Sequence, residues 1–456
     1  MFDGRVTNAP HVHRGRAFLD SRDMIRNPVA VFEKYRMRLG PTFTFHFGGA
    51  RATVVSTDPV VIEHVLRGNR DNYEKSDIQV ARMVEFQGQG LVNSHGDAWL
   101  RQRRLLAQGF RPSHLATLLP MQQAVLRDLM TGFDRDAQQG PVDVHQQMVR
   151  FTLRLVGRSL FGRSLSDQEL QQIGDTISAI QAFILRQVVQ PYMRRWFRMN
   201  GAFAQHQRLR VDADALVLRH IQARLDHDGA DRDFLRLLME TPYQDTGEPM
   251  RQAQVLIESL QLMVAGNETS SNALTWVFYL LARHPQYICE IRDEVAAVIG
   301  DDPIDFQNLH QLPGTLRVID EALRLYPPFW TIDRIALGDD EIGGVRIPAG
   351  TLVMPYIYGT HRNPAHWADA ESFDPQRFAP ARCKARHPFA YIPFGGGPRT
   401  CIGNNMAIMQ MLLIVVTFVR RYDFRLTTDA PITIRPMMLL RPAGAVTLTF
   451  RSVAQS

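Results

Sequence analysis

A long helical pattern over about residues 251–283 is the feature of this sequence that most constrains its fold. At about 1.5 Å per residue, such a helix is close to 50 Å long and would cross the whole molecule. It is apolar towards both ends, carries a small and polar patch at residues 265–270, and is ended by His284 and Pro285. The pattern predicts a mostly helical body.

The segments around this helix predict small sheets at one side of the helical body. Phe43, Phe45 and Phe47 alternate with polar residues before Gly48 and Gly49, which is typical of a β-hairpin that continues into residues 52–56. The remaining expected elements are a helix at 58–67, helices through most of 99–309, a helix at 313–325, and strands at 332–337, 344–347, 351–356, 432–440 and 445–450.

Composition excludes several classes of protein. Three cysteines in 456 residues argue against a disulfide framework and favour a reducing, cytoplasmic location. The first twenty residues lack the apolar segment of a signal peptide. The longest apolar run, residues 406–419, would be about 21 Å long as a helix, too short for a bilayer core of about 30 Å, so we expect no integral membrane anchor. A net charge of +6 without a binding motif does not indicate nucleic acid.

The segment 394–403, with the sequence FGGGPRTCIG, has the chemistry of a metal ligand loop. A cysteine ligates as the thiolate, which needs positive potential nearby, and Cys401 directly precedes the apolar helix that runs to residue 419. Three glycines allow a tight turn and a close approach to a flat group. Arg399 is placed to meet an anionic group. On its own, the segment is also compatible with a glycine-rich turn around an incidental buried cysteine.

A charged set accompanies this loop. Glu321 and Arg324 are three residues apart on one helical face, where they can form a pair, and Arg377 could complete a triad with them. Such pairs occur on many solvated helices. The Glu321–Arg324 pair is informative because of its position, about 80 residues before the cysteine loop.

Taken together, these motifs resemble those of the cytochromes P450. Phe394, Gly397, Arg399, Cys401 and Gly403 match every fixed position of the family's cysteine-ligand signature. The further matches are Glu321 with Arg324, Arg377, the oxygen-binding helix at residues 265–269, and Trp99 with Arg103. The five motifs occur in family order over residues 99–403.

The resemblance implies a fold that is mainly α with small β-sheets (α+β). It would place a large helical lobe and a smaller β-rich lobe around a buried haem b, with residues 1–456 as a single domain. Cys401 would be the axial thiolate of the iron, and Phe394 and Gly403 would lie beside it. Trp99, Arg103, Arg334 and Arg399 would contact the propionates. His95 and His361 could reach that region, although a surface or capping role is equally compatible with each. Glu321, Arg324 and Arg377 would support the loop beneath the haem.

The patch in the long helix fits the proton supply that oxygen activation requires. Ala265 and Gly266 are small, so the helix could lie against the haem face. Thr269 offers a hydroxyl that can bond back to the helix, open it locally and hold a water, and Glu268 can carry protons in from solvent. The alternative is a kinked helix with polar filler. The pair favours a monooxygenase that splits O2 with two delivered electrons.

No flavin or dinucleotide fingerprint is present, so we expect no fused reductase. A ferredoxin or flavodoxin, served by an NAD(P)H reductase, would supply the electrons to a monomeric enzyme. Five basic residues could dock it by charge, or could be a solvated basic face: Arg101, Arg104, Arg382, Lys384 and Arg386.

The resemblance also places the substrate pocket, which would be lined from residues 76–91, 177–203, 329–332 and 436–438. The aromatic and apolar residues there suggest a lipophilic substrate, although core packing explains them equally well: Phe86, Phe183, Phe329, Trp330, Ile332, Met437 and Met438. The segment 186–198, with four arginines, could be a lid, a membrane-surface patch or an exposed helix.

We therefore expect hydroxylation or a related oxidation of a lipophilic molecule such as a terpenoid, a fatty acid or a polyketide-like metabolite. Two alternatives stay open. One is a peroxide-driven fatty-acid hydroxylase or decarboxylase, and the other is a non-catalytic haem-binding sensor.

Overall fold

The long central helix expected from the sequence is present and runs continuously as α-helix over Gln252–Arg283. The computed structural model describes residues 7–47, 51–162, 164–190, 193–226 and 233–453. Gly48 and Gly49, expected to turn the first hairpin, lie outside the described residues. In chain order the α-helices are α1 (Arg14–Leu19), α2 (Ser21–Arg26), α3 (Pro28–Leu39), α4 (Pro59–Glu63), α5 (Asp77–Gln87), α6 (Gly96–Leu106), α7 (Pro112–Gln139), α8 (Val144–Phe161), α9 (Asp167–Val189), α10 (Arg194–Met199), α11 (Ala202–Asp226), α12 (Phe234–Glu240), α13 (Gln252–Arg283), α14 (Gln286–Val298), α15 (Phe306–His310), α16 (Pro313–Leu325), α17 (Ile357–Thr360), α18 (Pro380–Lys384) and α19 (Asn404–Arg421).

The strands are short and form small sheets. In chain order they are β1 (Thr42–Phe47), β2 (Arg51–Ser56), β3 (Tyr73–Glu74), β4 (Val142–Asp143), β5 (Arg334–Ala336), β6 (Asp340–Ile342), β7 (Val345–Ile347), β8 (Leu352–Pro355), β9 (Tyr422–Leu426), β10 (Ile434–Pro436), β11 (Leu440–Pro442) and β12 (Thr447–Ser452). Many helices with small sheets confirm the expected fold class.

The chain divides into two compact units. The first contains the described parts of residues 1–77, 317–401 and 432–444. The second contains the described parts of residues 78–316, 402–431 and 445–456. Among the described residues, the first unit contains the five-stranded sheet and the two-stranded sheets β6-β7 and β10-β11, and the second contains a three-stranded sheet.

The first unit is built on a five-stranded sheet of order β1-β2-β8-β5-β3. Strand β2 pairs antiparallel with β1 and parallel with β8. Its core is aromatic: the ring of Phe32 on α3 lies 5.9 Å from that of Phe45 and 5.3 Å from that of Tyr356. Thr44 and His46, the polar residues between these phenylalanines, are buried as well. His11 forms a β-bridge with Thr44, and Nδ1 of His46 lies 3.2 Å from the carbonyl oxygen of Val12.

The second unit is organised around α13, which packs along α8. From Ala273 to Leu281 every residue of α13 is buried, as expected of a helix that is apolar on all sides. Helix α19 packs here as the buried core helix predicted from its apolar run. Phe418 on α19 lies 4.9 Å from Phe278 and 4.8 Å from Phe133, measured between ring centroids. Strands β4, β12 and β9 form an antiparallel sheet beside these helices.

Two local predictions were wrong. The expected single strand at 432–440 is a hairpin of β10 and β11, closed where the N–H of Met437 donates to the carbonyl of Leu439. Its turn residues are apolar, so they gave no turn signal. The expected helix at 58–67 is α4 followed by a π-helix, His64–Gly68.

Candidate active site

The cysteine loop at residues 394–401 closes on itself through its backbone. The N–H of Cys401 donates to the carbonyl oxygen of Phe394 at 2.9 Å. Gly395 and Gly397 have φ values of 76° and 68°, a region that strains any residue with a side chain. Cys401 is exposed and forms no disulfide. The loop therefore presents its sulfur to a ligand.

Gly397 is required for a second reason, which is close packing. A Cβ atom on Gly397 would lie 1.9 Å from the carbonyl oxygen of Leu66, in the π-helix His64–Gly68. No side chain fits at that distance. The backbone of a distant segment thus limits residue 397 to glycine.

Glu321 and Arg324 on α16 form a fully buried pair. Arg324 donates from Nε to Oε2 of Glu321 at 2.6 Å and from Nη2 to Oε1 at 2.8 Å, and both side chains are 0% exposed. Nε of Arg377 lies 3.3 Å from Oε1 of Glu321. The backbone N–H of Asp374 donates to the same oxygen at 2.9 Å. The structure therefore brings together all three residues of the triad suggested by the sequence.

His361 connects the buried pair to the cysteine loop. Its Nδ1 lies 3.2 Å from the carbonyl oxygen of Arg324, and its Nε2 accepts from the N–H of Ile392 at 2.9 Å. Burial and the nearby Arg324 charge hold the pKa of His361 well below its ordinary value. Both ring nitrogens of the neutral ring are engaged with the backbone. The suggestion that His361 reaches a haem propionate is therefore wrong, because this side chain is buried and both of its ring nitrogens contact the backbone.

A cluster of positive charge lies in the first unit. Lys75 is close to Arg334 and Arg399, and desolvation together with these two charges lowers its pKa to about 7. Asp333 is the carboxylate that acts on Lys75, and it already accepts a hydrogen bond from the hydroxyl of Ser76. Arg334 is buried and donates from Nη1 to the carbonyl of Asp333 at 2.6 Å. Three cationic side chains in one region suit an anionic ligand.

Lys75 was missed in the sequence. Nothing local marks it, since it stands in an ordinary stretch between β3 and α5. Only the fold brings it beside two arginines that follow more than 250 residues later.

The polar patch of α13 is arranged on a continuous helix. The hydroxyl of Thr269 donates to the carbonyl oxygen of Ala265 at 2.7 Å, and Ala265 is exposed. The Cβ direction of Gly266 faces Val156 on α8, with a closest approach of 3.0 Å. Its small size therefore allows two helices to approach each other, which differs from the reason suggested by the sequence. Glu268 is half-buried beside Thr269. The expected local opening of the helix is absent over α13.

Helix α6 holds the third group of candidate residues. His95 is its N-cap residue, and Trp99 and Arg103 follow four residues apart on one face. All three side chains are half-buried. A planar ring and a guanidinium on one face suit a flat, anionic ligand.

A pocket in the second unit lies among α5, α9, α11 and α13. The residues that line it are Phe86, Gln87, Thr176, Ile177, Ile180, Arg210, Ala213, Asp214, Ile257, Leu260, Gln261 and Val264. Phe86 and Ile177 fall in the stretches expected from the sequence. Phe183 lies behind this wall, in edge contact with Phe86 at 5.7 Å and stacked on His206 at 4.0 Å.

The contribution of α13 to this pocket was missed, although the sequence contained a signal. Residues 257, 260, 261 and 264 are spaced to share one helical face. The same face continues one turn later to Ala265 and Glu268.

The pocket candidates of the first unit serve mainly in its core. Trp330 is buried against Phe32, and its Nε1 donates to the carbonyl of Met437 at 2.8 Å. Ile332 is partly buried and packs against a hydrophobic core of the first unit. Phe329, in contrast, is 39% exposed. The alternative that core packing explains such residues therefore holds for Trp330.

Three of the five basic residues considered for docking already have partners. Arg101 binds Asp245 at 2.8 Å, and Arg382 binds Asp374 at 3.1 Å. Arg386 lies 3.8 Å above the ring of Trp367 and has its pKa lowered by burial. Arg104 and Lys384 are exposed.

Three arginines of the segment 186–198 contact other side chains of the protein. Arg194 binds Glu85 at 2.6 Å, Arg198 lies 3.7 Å from the same carboxylate, and Arg186 lies over the ring of Phe197. Trp196 is 53% exposed.

The cytochrome P450 family model matches residues 15–450. The chain belongs to the cytochrome P450 family. Cytochrome P450 734A5 of Oryza sativa subsp. japonica is 30% identical to it in an alignment of 459 positions, which covers 96% of this chain and 84% of that protein. Cyclooctatin synthase of Streptomyces melanosporofaciens is 29% identical, over 86% of this chain and 85% of its own length.

Solved structures agree on the fold. A crystallised cytochrome P450 haem domain has a TM-score of 0.85 at 24% identity and covers 93% of both chains. A retinoic acid-bound cyanobacterial CYP120A1 has a TM-score of 0.85 at 22% identity, covering 98% of this chain and 99% of that one.

Members of this family are haem-thiolate monooxygenases, and this cytochrome P450 is an oxidoreductase of that kind. Its residues fit the cofactor, because an exposed cysteine sulfur would take the iron and the cluster of Lys75, Arg334 and Arg399 would take carboxylates. Within the described parts of the chain, no helix combines the length and the apolar character needed to span a membrane.

Proposed function

We propose that Cys401 ligates the haem iron, and that the enzyme uses O2 and two electrons from a separate protein to hydroxylate or otherwise oxidise a lipophilic small molecule. The observation that carries this proposal is the closed cysteine loop, whose cysteine is exposed. Bound haem supplies oxygen activation, and electron donation from the thiolate favours cleavage of the O–O bond.

The cationic and planar side chains would hold the cofactor in place. Lys75, Arg334 and Arg399 would bind propionate oxygens from the first unit. Trp99, Arg103 and His95 would do so from α6. Phe394 closes the loop around the ligand, while Gly403 caps α19. Each cation that meets a propionate gains a charge-assisted hydrogen bond.

Protons would be handled by the patch of α13. The hydroxyl of Thr269 is anchored on the carbonyl of Ala265, so its oxygen stays free to accept a hydrogen bond from a water. Glu268, half-buried next to it, would receive protons from solvent and pass them to that water. The exposed surface at Ala265 leaves room for a flat group beside both.

The substrate would enter the pocket of the second unit. Phe86, Ile177 and Leu260 make much of its wall apolar, so the free energy of binding would come mainly from burial of a lipophilic surface. Terpenoids, fatty acids and polyketide-like metabolites all meet this condition.

Electrons would come from a ferredoxin or flavodoxin reduced by an NAD(P)H reductase. The exposed cations Arg104 and Lys384 would attract an acidic donor. The three cysteines are free thiols, which suits a reducing compartment such as the cytoplasm.

The experiment that tests this proposal is Cys401→Ser, with Cys289→Ser and Cys383→Ser as matched controls. We expect the first variant alone to lose the thiolate-type absorption of the reduced carbonyl complex. Retention of that absorption would show that another residue ligates the iron. Turnover with peroxide but none with a ferredoxin and its reductase would replace the proposal by a peroxide-driven enzyme.

A further inference from the structure

Two charged side chains stand in the largely apolar wall of the pocket in the second unit. Arg210 and Asp214, one turn apart on α11, line it together with Phe86, Ile180 and Val264. Nε of Arg210 donates to Oδ2 of Asp214 at 3.3 Å, and the two side chains are 27% and 21% exposed. A helical pair of this kind stabilises by only about 0.5 kcal/mol. That is less than the free energy needed to hold two charges partly out of water.

The pair leaves polar atoms available to a ligand. Within the described residues, Oδ1 of Asp214 and Nη2 of Arg210 make no hydrogen bond to protein. Burial raises the pKa of Asp214 above its ordinary value despite the nearby guanidinium. The positive charge of Arg210 alone therefore does not fully offset the free-energy cost of burying the Asp214 carboxylate.

The guanidinium is also held in position. Nη1 of Arg210 donates to the carbonyl oxygen of Glu85 on α5 at 3.2 Å, and Gln207, one turn earlier on α11, donates to the same oxygen at 3.0 Å. Two hydrogen bonds thus join α11 to the end of α5. A ligand group that meets Arg210 finds it already ordered, which lowers the entropy lost on binding.

We propose that Arg210 and Asp214 bind a hydroxyl group, so that the substrate is a lipophilic alcohol. This inference rests on the proposed function. A hydroxyl donates one hydrogen bond and accepts others, so it satisfies Oδ1 of Asp214 and an N–H of Arg210 at once. A carboxylate would be repelled by Asp214, and a hydrocarbon would leave both polar atoms buried without partners.

The position of the pair makes the alcohol long rather than compact. The pocket face of α13 runs from Ile257 to Val264 and leads on to Thr269. At about 1.5 Å per residue, Thr269 lies about 7 Å beyond Val264 and about 18 Å beyond Ile257 along the helix. The wall that α13 gives to the pocket is therefore about 7–18 Å from Thr269 along the helix. A hydroxyl bound in this pocket would be held at a distance of this order from the oxidised carbon and would select which carbon reacts.

The test uses three ligands with one skeleton: 1-dodecanol, its methyl ether and dodecanoic acid. Their Kd values are measured by isothermal titration calorimetry on the wild type and on Asp214→Asn and Arg210→Gln. We expect the wild type to bind the alcohol at least about tenfold more tightly than the other two. Asp214→Asn should lower alcohol affinity about tenfold and raise acid affinity, since it leaves Arg210 without its counter-charge.

Asp212→Asn and Arg208→Gln, at exposed positions of α11, are the matched controls and should leave all three Kd values unchanged. Tightest binding of the acid by the wild type would overturn the inference, as would equal losses for all ligands in Asp214→Asn or no binding at all. Calorimetry does not depend on iron ligation. A failed inference is therefore distinguished from a failed proposed function, which shows as retention of the thiolate-type absorption in Cys401→Ser or as turnover with peroxide alone.

Discussion

Glu321 shows what a single buried carboxylate does in this enzyme. It accepts hydrogen bonds from Arg324 and from the N–H of Asp374, and Arg377 lies against it. Arg324 in turn donates to the carbonyl of His361, which holds the N–H of Ile392 next to the cysteine loop. A charge that is 0% exposed thus organises the backbone around the cysteine loop.

Glu321→Gln should therefore be strongly destabilising. It leaves Arg324 and Arg377 buried without a counter-charge, which costs about 3–5 kcal/mol of unfolding free energy. Glu341→Gln is the matched control, because Glu341 lies 3.8 Å from Arg346 and the two side chains are 60% and 73% exposed, so it should cost less than about 1 kcal/mol. Urea unfolding measures both, and equal losses would contradict this account.

Two glycines of the loop separate backbone strain from steric exclusion. Gly395→Ala meets no atom within 4 Å and should cost only about 1–2 kcal/mol for its positive φ. Gly397→Ala would also drive a Cβ into the carbonyl of Leu66, so we expect it to abolish stable haem incorporation. The haem content of the purified variants decides this. Normal incorporation in Gly397→Ala would mean that the loop can move away from the π-helix.

At the scale of elements, α13 contains the patch proposed to handle protons, and it also binds the loop before α6. Glu258 on α13 is fully buried and accepts from the N–H of Leu91 at 3.0 Å. Three residues later, Oε1 of Gln261 accepts from the N–H of Val92 at 3.0 Å. One helix face thus holds the loop that leads to His95.

Glu258 should make stability depend on pH. Burial raises its pKa from 4.5 to about 7. The folded state therefore binds more protons than the unfolded state between these values, and the free energy of unfolding falls as pH rises through that window. Glu258→Gln should remove this fall, on the order of 3 kcal/mol. Denaturant unfolding from pH 5 to pH 8 compares the two proteins, and parallel profiles would contradict the assignment.

Thr269→Ala tests the proton role of the same helix. Loss of the hydroxyl should leave haem binding intact but lower product formed per electron pair by on the order of tenfold or more, with hydrogen peroxide released instead. Thr269→Ser keeps the hydroxyl and should stay close to the wild type. Measurements of product, peroxide and NAD(P)H consumption decide between them, and unchanged yields in the alanine variant would remove Thr269 from the proton path.

At the scale of the whole molecule, bound haem should raise the free energy of unfolding, because a ligand that binds only the folded state stabilises that state. The cluster of Lys75, Arg334 and Arg399 should make haem binding depend on pH. Because burial and the two neighbouring arginines lower the pKa of Lys75 to about 7, the lysine loses its charge as pH rises above 7.

Haem affinity of the haem-free protein should therefore fall from pH 6 to pH 9, by up to about tenfold per pH unit above 7. Lys75→Met should bind haem more weakly at pH 6 and show a flatter profile. Titration of haem into the apoprotein measures this. A wild-type profile that matches that of the variant would exclude Lys75 as a propionate partner.

The sequence by itself determined the features that depend on short spacings. Helical period identified α13 and α19, and local motifs identified Cys401, the Glu321–Arg324 pair and Thr269. Such features follow from backbone geometry over a few residues. Only the tertiary structure decided which distant groups meet: Gly397 with Leu66, Lys75 with Arg334 and Arg399, and the Arg210–Asp214 pair with the face of α13. These contacts join segments far apart in the chain, so they depend on how whole elements pack, which no local pattern records.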